Sequence, residues 1–372
     1  NLFVGSALVD MYAKNGDLER AQHVFNIFPV RNEVLWNTLI TGYADHGYSE
    51  KALRCFEQMQ LEGIFQTDVT LICILKAYGS IEAIDNVVAI HAQIESQGSL
   101  GNNIVVGSTL VDMYAKCGSF ARAQQVFDKL VDRNVVLWTV LITRCAEYGH
   151  SEAALNCFEQ MQLEGIPPNA VTLICILKAC GNIGAKEKGQ EIHAEIERQG
   201  LIGREYVAVG NSLVDMYAKC GSIASAKEVF DNLPIRTIVS WTALMAGYAQ
   251  LGDTSNVFVM FEGMVGECIK PNLVTFVVVL RACSRMGLFN KSQTYFQVMS
   301  KDYGIIPTLR HHTWMVDICG RAGKFDNAIA MINKIPFGPD QIVWKNLLGA
   351  CRSWGNAKLG KQVFQHLLHG SD

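Results

Sequence analysis

Along nearly the whole chain, apolar residues recur three and four positions apart, the spacing of one face of an α-helix. In the stretch 33–67, Trp36, Leu39, Ile40, Tyr43 and Ala44 fall at i, i+3, i+4, i+7 and i+8. Gly47 follows, as a glycine closing a helix C-terminus would. Ser49 is placed to cap a second helix. Ala52, Phe56 and Met59 mark the buried face of that helix, and Gly63 ends it. The pattern predicts two helices joined by a short turn.

The same pattern returns. Val9-Asp10-Met11-Tyr12-Ala13-Lys14 recurs as Val111 to Lys116 and as Val214 to Lys219. Leu71 to Ala77 recurs as Leu173 to Ala179. Trp36 recurs as Trp138 and Trp241, 102 and then 103 residues further on, so one block occurs three times. Each block divides into three unequal repeats: 2–32, 33–67 and 68–103; 104–134, 135–169 and 170–206; 207–237, 238–272 and 273–308. Two more follow, 309–340 and 341–372. A glycine stands at the fifteenth place of every repeat except 68–103, where Glu82 takes it. A helix pair of this size cannot bury both faces alone, so neighbours must stack, and the fold class is an all-α solenoid of helix-turn-helix repeats.

Composition narrows the function classes. Of the 372 residues, 49% are apolar and 18% charged, which excludes a disordered chain. The formal net charge of −3 gives no bulk electrostatic pull toward nucleic acid or an anionic membrane. No uninterrupted apolar run reaches the length of a membrane span. The opening Asn1-Leu2-Phe3-Val4-Gly5 is neither a signal peptide nor an Arg-rich transit peptide, so the chain reads as a fragment with any targeting segment upstream. The twelve cysteines contain no C-x-x-C, which removes the main support for zinc-ribbon and thioredoxin readings. They read as small apolar core residues in a reducing compartment.

Thirty-four-residue helix pairs suggest tetratricopeptide repeats, but the motifs differ. The strings Val34 to Ile40, Val136 to Ile142 and Val239 to Met245 share V-x-W-[NT]-x-L-[IM]. With Cys55 to Ile64, Cys157 to Ile166, Ala115 to Ser119 and Ala218 to Ser222, they resemble the pentatricopeptide repeat family of plants. The alternating lengths resemble its PLS subclass: P repeats 33–67, 135–169 and 238–272; L repeats 68–103, 170–206 and 273–308; S repeats 2–32, 104–134 and 207–237. Val316 to Gly323 with Ile335-Pro336-Phe337-Gly338-Pro339-Asp340 resembles the terminal S2 motif, and Trp344 to Arg352 resembles the start of an E1 motif. The resemblance implies a right-handed superhelix. It further implies single-stranded RNA binding in mitochondria or chloroplasts, mostly in C-to-U editing.

In that family each repeat reads one base. The resemblance assigns base-edge contact to the fifth and last residues and base sandwiching to the second. The fifth/last pairs here are Ser6/Asn32, Asn37/Thr67, Ser108/Asn134, Thr139/Asn169, Asn211/Thr237, Thr242/Asn272 and Thr313/Asp340. The second residues are Phe3, Val34, Val105, Val136, Ala208 and Val239, while Arg310 departs from the apolar pattern. L repeats carry Ile72, Ile174 and Val277 at the fifth place and cannot hydrogen-bond a base there. The split follows the repeat classes; the competing reading is that small polar residues only serve the first helix turn. Carried over, the family's code gives the site 5′-AYNAANYANG-3′. Tyr206 takes the last place of 170–206, which is one residue longer than 68–103, so register can slip there. Lys14, Lys116, Lys219 and Arg321 form a ladder at the thirteenth place, where cations suit a helix C-terminus and could touch phosphate.

The editing members of the family often end in a zinc deaminase needing H-x-E plus C-x-x-C. His193-Ala194-Glu195 has the first string, but its sibling is His91-Ala92-Gln93 and no C-x-x-C follows. His311-His312 reads as a helix start. Trp36, Trp138 and Trp241 read as interhelix core rather than base-stacking platforms. With Gly370-Ser371-Asp372 ending the chain, the expectation is a binding protein without a catalytic domain, cofactor or metal. The deaminase would then be downstream or in trans. Small organellar editing cofactor proteins are further candidate partners, no membrane is expected, and self-association through the terminal repeats stays open. Two other readings remain: an RNA stability or translation factor without editing, and a tetratricopeptide-like protein scaffold.

Overall fold

The computed structural model describes residues 2–98, 103–336 and 338–369. Phe337 of the terminal motif and Gly370, Ser371 and Asp372 lie outside the described residues. Among the described residues there are 22 α-helices, one short 3-10 turn (Arg204–Tyr206) and no strand. The helices come in pairs. The first helices are Leu2–Lys14, Glu33–Asp45, Asp68–Ser80, Ile104–Lys116, Val135–Glu147, Ala170–Ile183, Val207–Lys219, Ile238–Leu251, Leu273–Met286, Leu309–Arg321 and Gln341–Ser353.

Two local devices punctuate the chain. Before the first helices of most repeats stands a short polar residue whose side chain accepts an orphan N–H, as Asn32 does from Leu35 N (3.0 Å), Asn134 from Leu137 N (3.0 Å) and Asp340 from Val343 N (2.9 Å). Between first and second helices the backbone turns left-handed. The fifteenth-place glycines have φ between 65° and 84°, and Glu82 is forced to 56° at the same place. Cys268 adopts φ 60° at the end of a second helix, where the sibling repeats place Gly63 and Gly165. Ser49 does not cap its helix: it is the buried first residue of Ser49–Leu61, and Tyr48 precedes it without a side-chain cap bond. The turn at Gly47 makes the entry instead.

The short repeats owe their length to their second helices. Leu18–Ile27, Phe120–Lys129 and Ile223–Asn232 have 10 residues, against 13 in Ser49–Leu61 and Ser151–Leu163. The chain leaving the shortened helix packs back on the first helix. Leu130 rests on Gly107, where an added Cβ would meet Leu130 Cδ2 at 2.6 Å, so glycine is required.

The chain divides into two compact units, Asn1–Ala179 and Cys180–Asp372. Within each, a first helix packs on its own second helix and on the first helix of the next repeat. The seventh and eighth places carry this contact: Leu39/Ile40, Ile74/Leu75 and Leu110/Val111 in the first unit are fully buried. In the second unit, Leu213/Val214 and Leu244/Met245 play the same part.

Each short-to-long junction is fastened by one recurring cluster. Trp138 is buried edge-on against Phe127, ring centroids 4.5 Å apart, and its Nε1 donates to Glu164 Oε2 at 3.1 Å. Arg133 lies over Phe127, 5.0 Å from the centroid, and donates to Glu164 Oε1 at 2.7 Å. Trp36 with Phe25, Arg31 and Glu62 repeats the arrangement. Trp241 with Phe230, Arg236 and Glu267 repeats it without a partner for the indole N–H. The tryptophans are therefore core.

The twelve cysteines are all free. Burial pushes Cys55 and Cys319 up to about 11 and Cys283 up to about 12, which keeps these thiols neutral.

Candidate nucleic-acid interface

A residue at the second place of a first helix shares a face with the fifth, ninth and thirteenth, because successive steps of three and four follow the helical turn. The sequence makes this face distinct. The second place is about half exposed although apolar: Val34 50%, Val105 53%, Val136 58% and Val239 54%, with Phe3 at 83%. Ala208 and Arg310 are exposed as well. The L repeats continue the series with Val69, Val171 and Val274, and Ile342 does so in the last repeat. The sequence reading named only the S and P members; counting two residues from every repeat start would have found the rest.

The fifth and last residues meet at the N-terminal ends of the first helices. Asn37 Nδ2 donates to Thr67 Oγ1 at 2.9 Å, Thr237 Oγ1 to Asn211 Oδ1 at 3.2 Å, and Asn169 Nδ2 to Thr139 Oγ1 at 3.4 Å. Thr242 and Asn272 are bridged through Thr275, at 3.4 Å and 3.0 Å. The pairs Ser6/Asn32, Ser108/Asn134 and Thr313/Asp340 are not joined. Ser108 and Thr313 turn their hydroxyls onto their own helix, donating to Val105 O (3.0 Å) and Leu309 O (2.8 Å). Thr139 and Thr242 likewise donate to Val135 O and Ile238 O, both at 2.6 Å, so these four fifth-place hydroxyls serve their own first helix turn, as the competing reading expects, while the N–H caps come from the last place. Tyr206, at the last place of 170–206, makes no side-chain cap bond and ends the 3-10 turn instead.

The cap bond decides which atom faces outward. Asn169 Oδ1 is used by Thr172 N at 2.9 Å, so Nδ2, a donor, points away from the helix start. Asp340 uses Oδ1 for Val343 N at 2.9 Å, so its second oxygen, an acceptor, takes the outward place. One substitution at the last place therefore exchanges a donor for an acceptor at fixed geometry.

In the first compact unit these elements form a groove of about 480 Å³ lined by Val34, Val69, Asn37, Thr67, Asp10 and Lys14. The cations of the ladder are each tied to an aspartate one turn back: Lys14 to Asp10 at 2.8 Å, Lys116 to Asp112 at 3.6 Å, Lys219 to Asp215 at 2.7 Å and Arg321 to Asp317 at 2.8 Å. Exposed Lys76 and Lys178, at the ninth place of L repeats, make no ion pair among the described residues. The sequence reading overlooked both.

The histidine strings are structural. His193 Nδ1 lies 3.0 Å from Tyr217 Oη, and His91 Nδ1 lies 2.9 Å from Tyr114 Oη. Glu195 is held below the usual carboxylate range by its bonds from Arg198, the opposite of what a general acid needs. His311 is buried, with Nδ1 2.8 Å from Thr308 Oγ1 and Nε2 2.9 Å from Leu273 O; burial lowers its pKa. Among the described residues no group of three or more His, Cys, Asp or Glu side chains is placed to hold a metal, and no helix is long and apolar enough to cross a membrane.

A stack of helix pairs with an exposed second-place side chain in each layer and a polar fifth/last pair in the P and S layers defines a class of modular α-solenoids. The model of the PPR repeat family matches residues 31–80, 133–182 and 236–285, and that of the PPR repeat matches 6–31, 108–135, 211–234 and 274–303. The chain belongs to the pentatricopeptide repeat family. It is 36% identical over 98% of its length to the mitochondrial pentatricopeptide repeat-containing protein At1g06140 of Arabidopsis thaliana, spanning 65% of that protein. It is 34% identical to the mitochondrial At2g03380 of the same plant, over 98% of this chain and 52% of that one. The chain thus spans between half and two thirds of the length of these curated relatives. Among solved structures, the pentatricopeptide repeat protein PPR10 in complex with an 18-nucleotide psaJ RNA element matches with a TM-score of 0.80 at 16% identity, covering all of this chain and 56% of that one. PPR10 from maize matches with a TM-score of 0.56 at 19% identity, over 99% and 58%. These likenesses show the fold.

Proposed function

We propose that this chain binds single-stranded RNA sequence-specifically, one base per P or S repeat, and is the recognition part of an organellar C-to-U editing factor. The observation that carries the reading is the placement of polar side chains at the fifth and last places beside exposed apolar second-place residues; the last places are exposed or half-buried, while Asn211 and Thr242 at the fifth are buried. Stacked bases need both: apolar walls for their faces and directed donors or acceptors for their edges. An outward Asn Nδ2 suits adenine, whose N1 accepts. An outward Asp oxygen suits guanine, whose N1–H and N2–H donate. Ser6/Asn32, Ser108/Asn134, Thr139/Asn169 and Thr242/Asn272 read A, and Thr313/Asp340 reads G. Asn37/Thr67 and Asn211/Thr237 read a pyrimidine. The site is 5′-AYNAANYANG-3′.

The deaminase is a further domain of the full protein or a partner in trans, and small editing cofactor proteins contact the L repeats. The protein works in a mitochondrion or chloroplast; the printed names of several relatives favour the former. Because the thirteenth-place cations are already paired with aspartates, few phosphates are neutralised and the salt dependence of binding is shallow. Fluorescence anisotropy at stated salt tests the reading. The decamer should bind more tightly than one carrying G opposite Thr139/Asn169; equal binding, or none at low salt, would overturn it.

A further inference from the structure

The junctions between P and L repeats contain a feature that the code does not use. At the third place of each L repeat stands a threonine: Thr70, Thr172 and Thr275. All three are completely buried. A buried hydroxyl requires partners, and in each case these are the fifth and last residues of the preceding P repeat. Thr172 Oγ1 is 2.8 Å from Thr139 Oγ1 and donates to Asn169 Oδ1 at 3.0 Å. Thr275 Oγ1 is 3.4 Å from Thr242 Oγ1 and donates to Asn272 Oδ1 at 3.0 Å. Thr70 Oγ1 donates to Asn37 Oδ1 at 2.5 Å and lies 3.3 Å from Thr67 Oγ1.

The proton count shows what the hydroxyl does. Thr139 has one hydroxyl proton, and Val135 O stands 2.6 Å away to receive it. Thr172 has one more. With the Thr139 proton donated to Val135 O, the single Thr172 proton is shared between Asn169 Oδ1 and Thr139 Oγ1, so two of the three short contacts are hydrogen bonds at any moment. The network holds Asn169 Oδ1 inward and orients the lone pairs of Thr139. In the repeat 33–67 the dependence is stronger, because Thr70 is the donor to Asn37 Oδ1 and thereby leaves Nδ2 facing Thr67.

We infer that the buried third-place threonine of each L repeat is a specificity-determining positioning residue for the base read by the preceding P repeat. The inference rests on the base-reading assignment above. It gives the L repeats, whose own fifth places are apolar, a part in recognition through a neighbour. S repeats 2–32, 104–134 and 207–237 lack the device: Leu35 and Leu137 stand at the corresponding third places, and Ser240 Oγ bonds only the backbone of Thr237, accepting from its N–H and donating to its carbonyl, both at 2.9 Å.

The test uses Thr172→Val, which removes the hydroxyl and keeps the shape, with Thr172→Ser as the conservative variant. Binding is measured to the decamer and to its A-to-G variant opposite Thr139/Asn169, with thermal melting alongside. Thr172→Val should lower the A-over-G preference at least threefold while leaving affinity for the G-containing RNA unchanged, and Thr172→Ser should restore the preference. Thr275→Val, tested opposite Thr242/Asn272, covers the case in which Thr172→Val does not fold. An unchanged preference in the folded valine variant would overturn the inference and leave the base-reading assignment standing. Loss of affinity for both RNAs alike would also overturn it. No preference in the unsubstituted protein would instead remove the assignment itself.

Discussion

The successive repeats 104–134 and 135–169 each carry a small hydroxyl at the fifth place and asparagine at the last. In 104–134, Ser108 donates to its own Val105 O at 3.0 Å, and Asn134 is held by the Leu137 N–H alone, at 3.0 Å. In 135–169, Thr139, Asn169 and Thr172 form one connected network. On the proposed reading both pairs offer the same chemistry to a base, but only the second has a buried hydroxyl, that of Thr172, behind it. Donor identity and donor rigidity are therefore separate properties: the pair sets the first and the residue beneath it sets the second. Preorganised hydrogen bonds discriminate better because the wrong partner cannot be met by a rotation.

The largest expected effect concerns the scaffold both repeats share. Trp138→Ala removes the indole that joins them, and thermal or denaturant unfolding should show a loss of about 3–5 kcal/mol. Retained stability would mean that the Phe127/Trp138/Arg133/Glu164 cluster is not the fastening. The comparison itself is sharpened by moving one A-to-G change between the two positions of the RNA. Opposite Thr139/Asn169 it should cost on the order of 1–3 kcal/mol, and opposite Ser108/Asn134 distinctly less. Equal costs would break the distinction drawn here. The smallest effect separates stability from reading. Glu82→Gly relieves a left-handed non-glycine residue and should raise stability by about 1 kcal/mol, with both base preferences unchanged in the same anisotropy titrations.

The architecture was legible because its signals are local. Glycine at the fifteenth place is dictated by backbone conformation within one repeat, and the apolar pairs at the seventh and eighth recur on each first helix at fixed spacing, so repetition multiplied a weak signal. Counting from repeat starts located the fifth and last residues. It could not reveal what those residues touch. Thr70, Thr172 and Thr275 read as ordinary polar residues near a helix start until burial and partners are known. The thirteenth-place cations read as free until Asp10, Asp112, Asp215 and Asp317 are found one turn away in space. Ser49 misled because a serine beside a glycine turn suits either a cap or a first helical residue, and packing chose the second.

The central claim is that the outward atom of the last residue chooses the base. Asn169→Asp exchanges the Nδ2 donor for a carboxylate oxygen while an inward oxygen keeps the bond from Thr172 N (2.9 Å). The most direct measurement is a two-by-two anisotropy titration at fixed salt, with the unsubstituted protein and Asn169→Asp each against the decamer carrying A or G opposite this repeat. The account predicts A over G for the first and G over A for the second. The same preference in both proteins would contradict it.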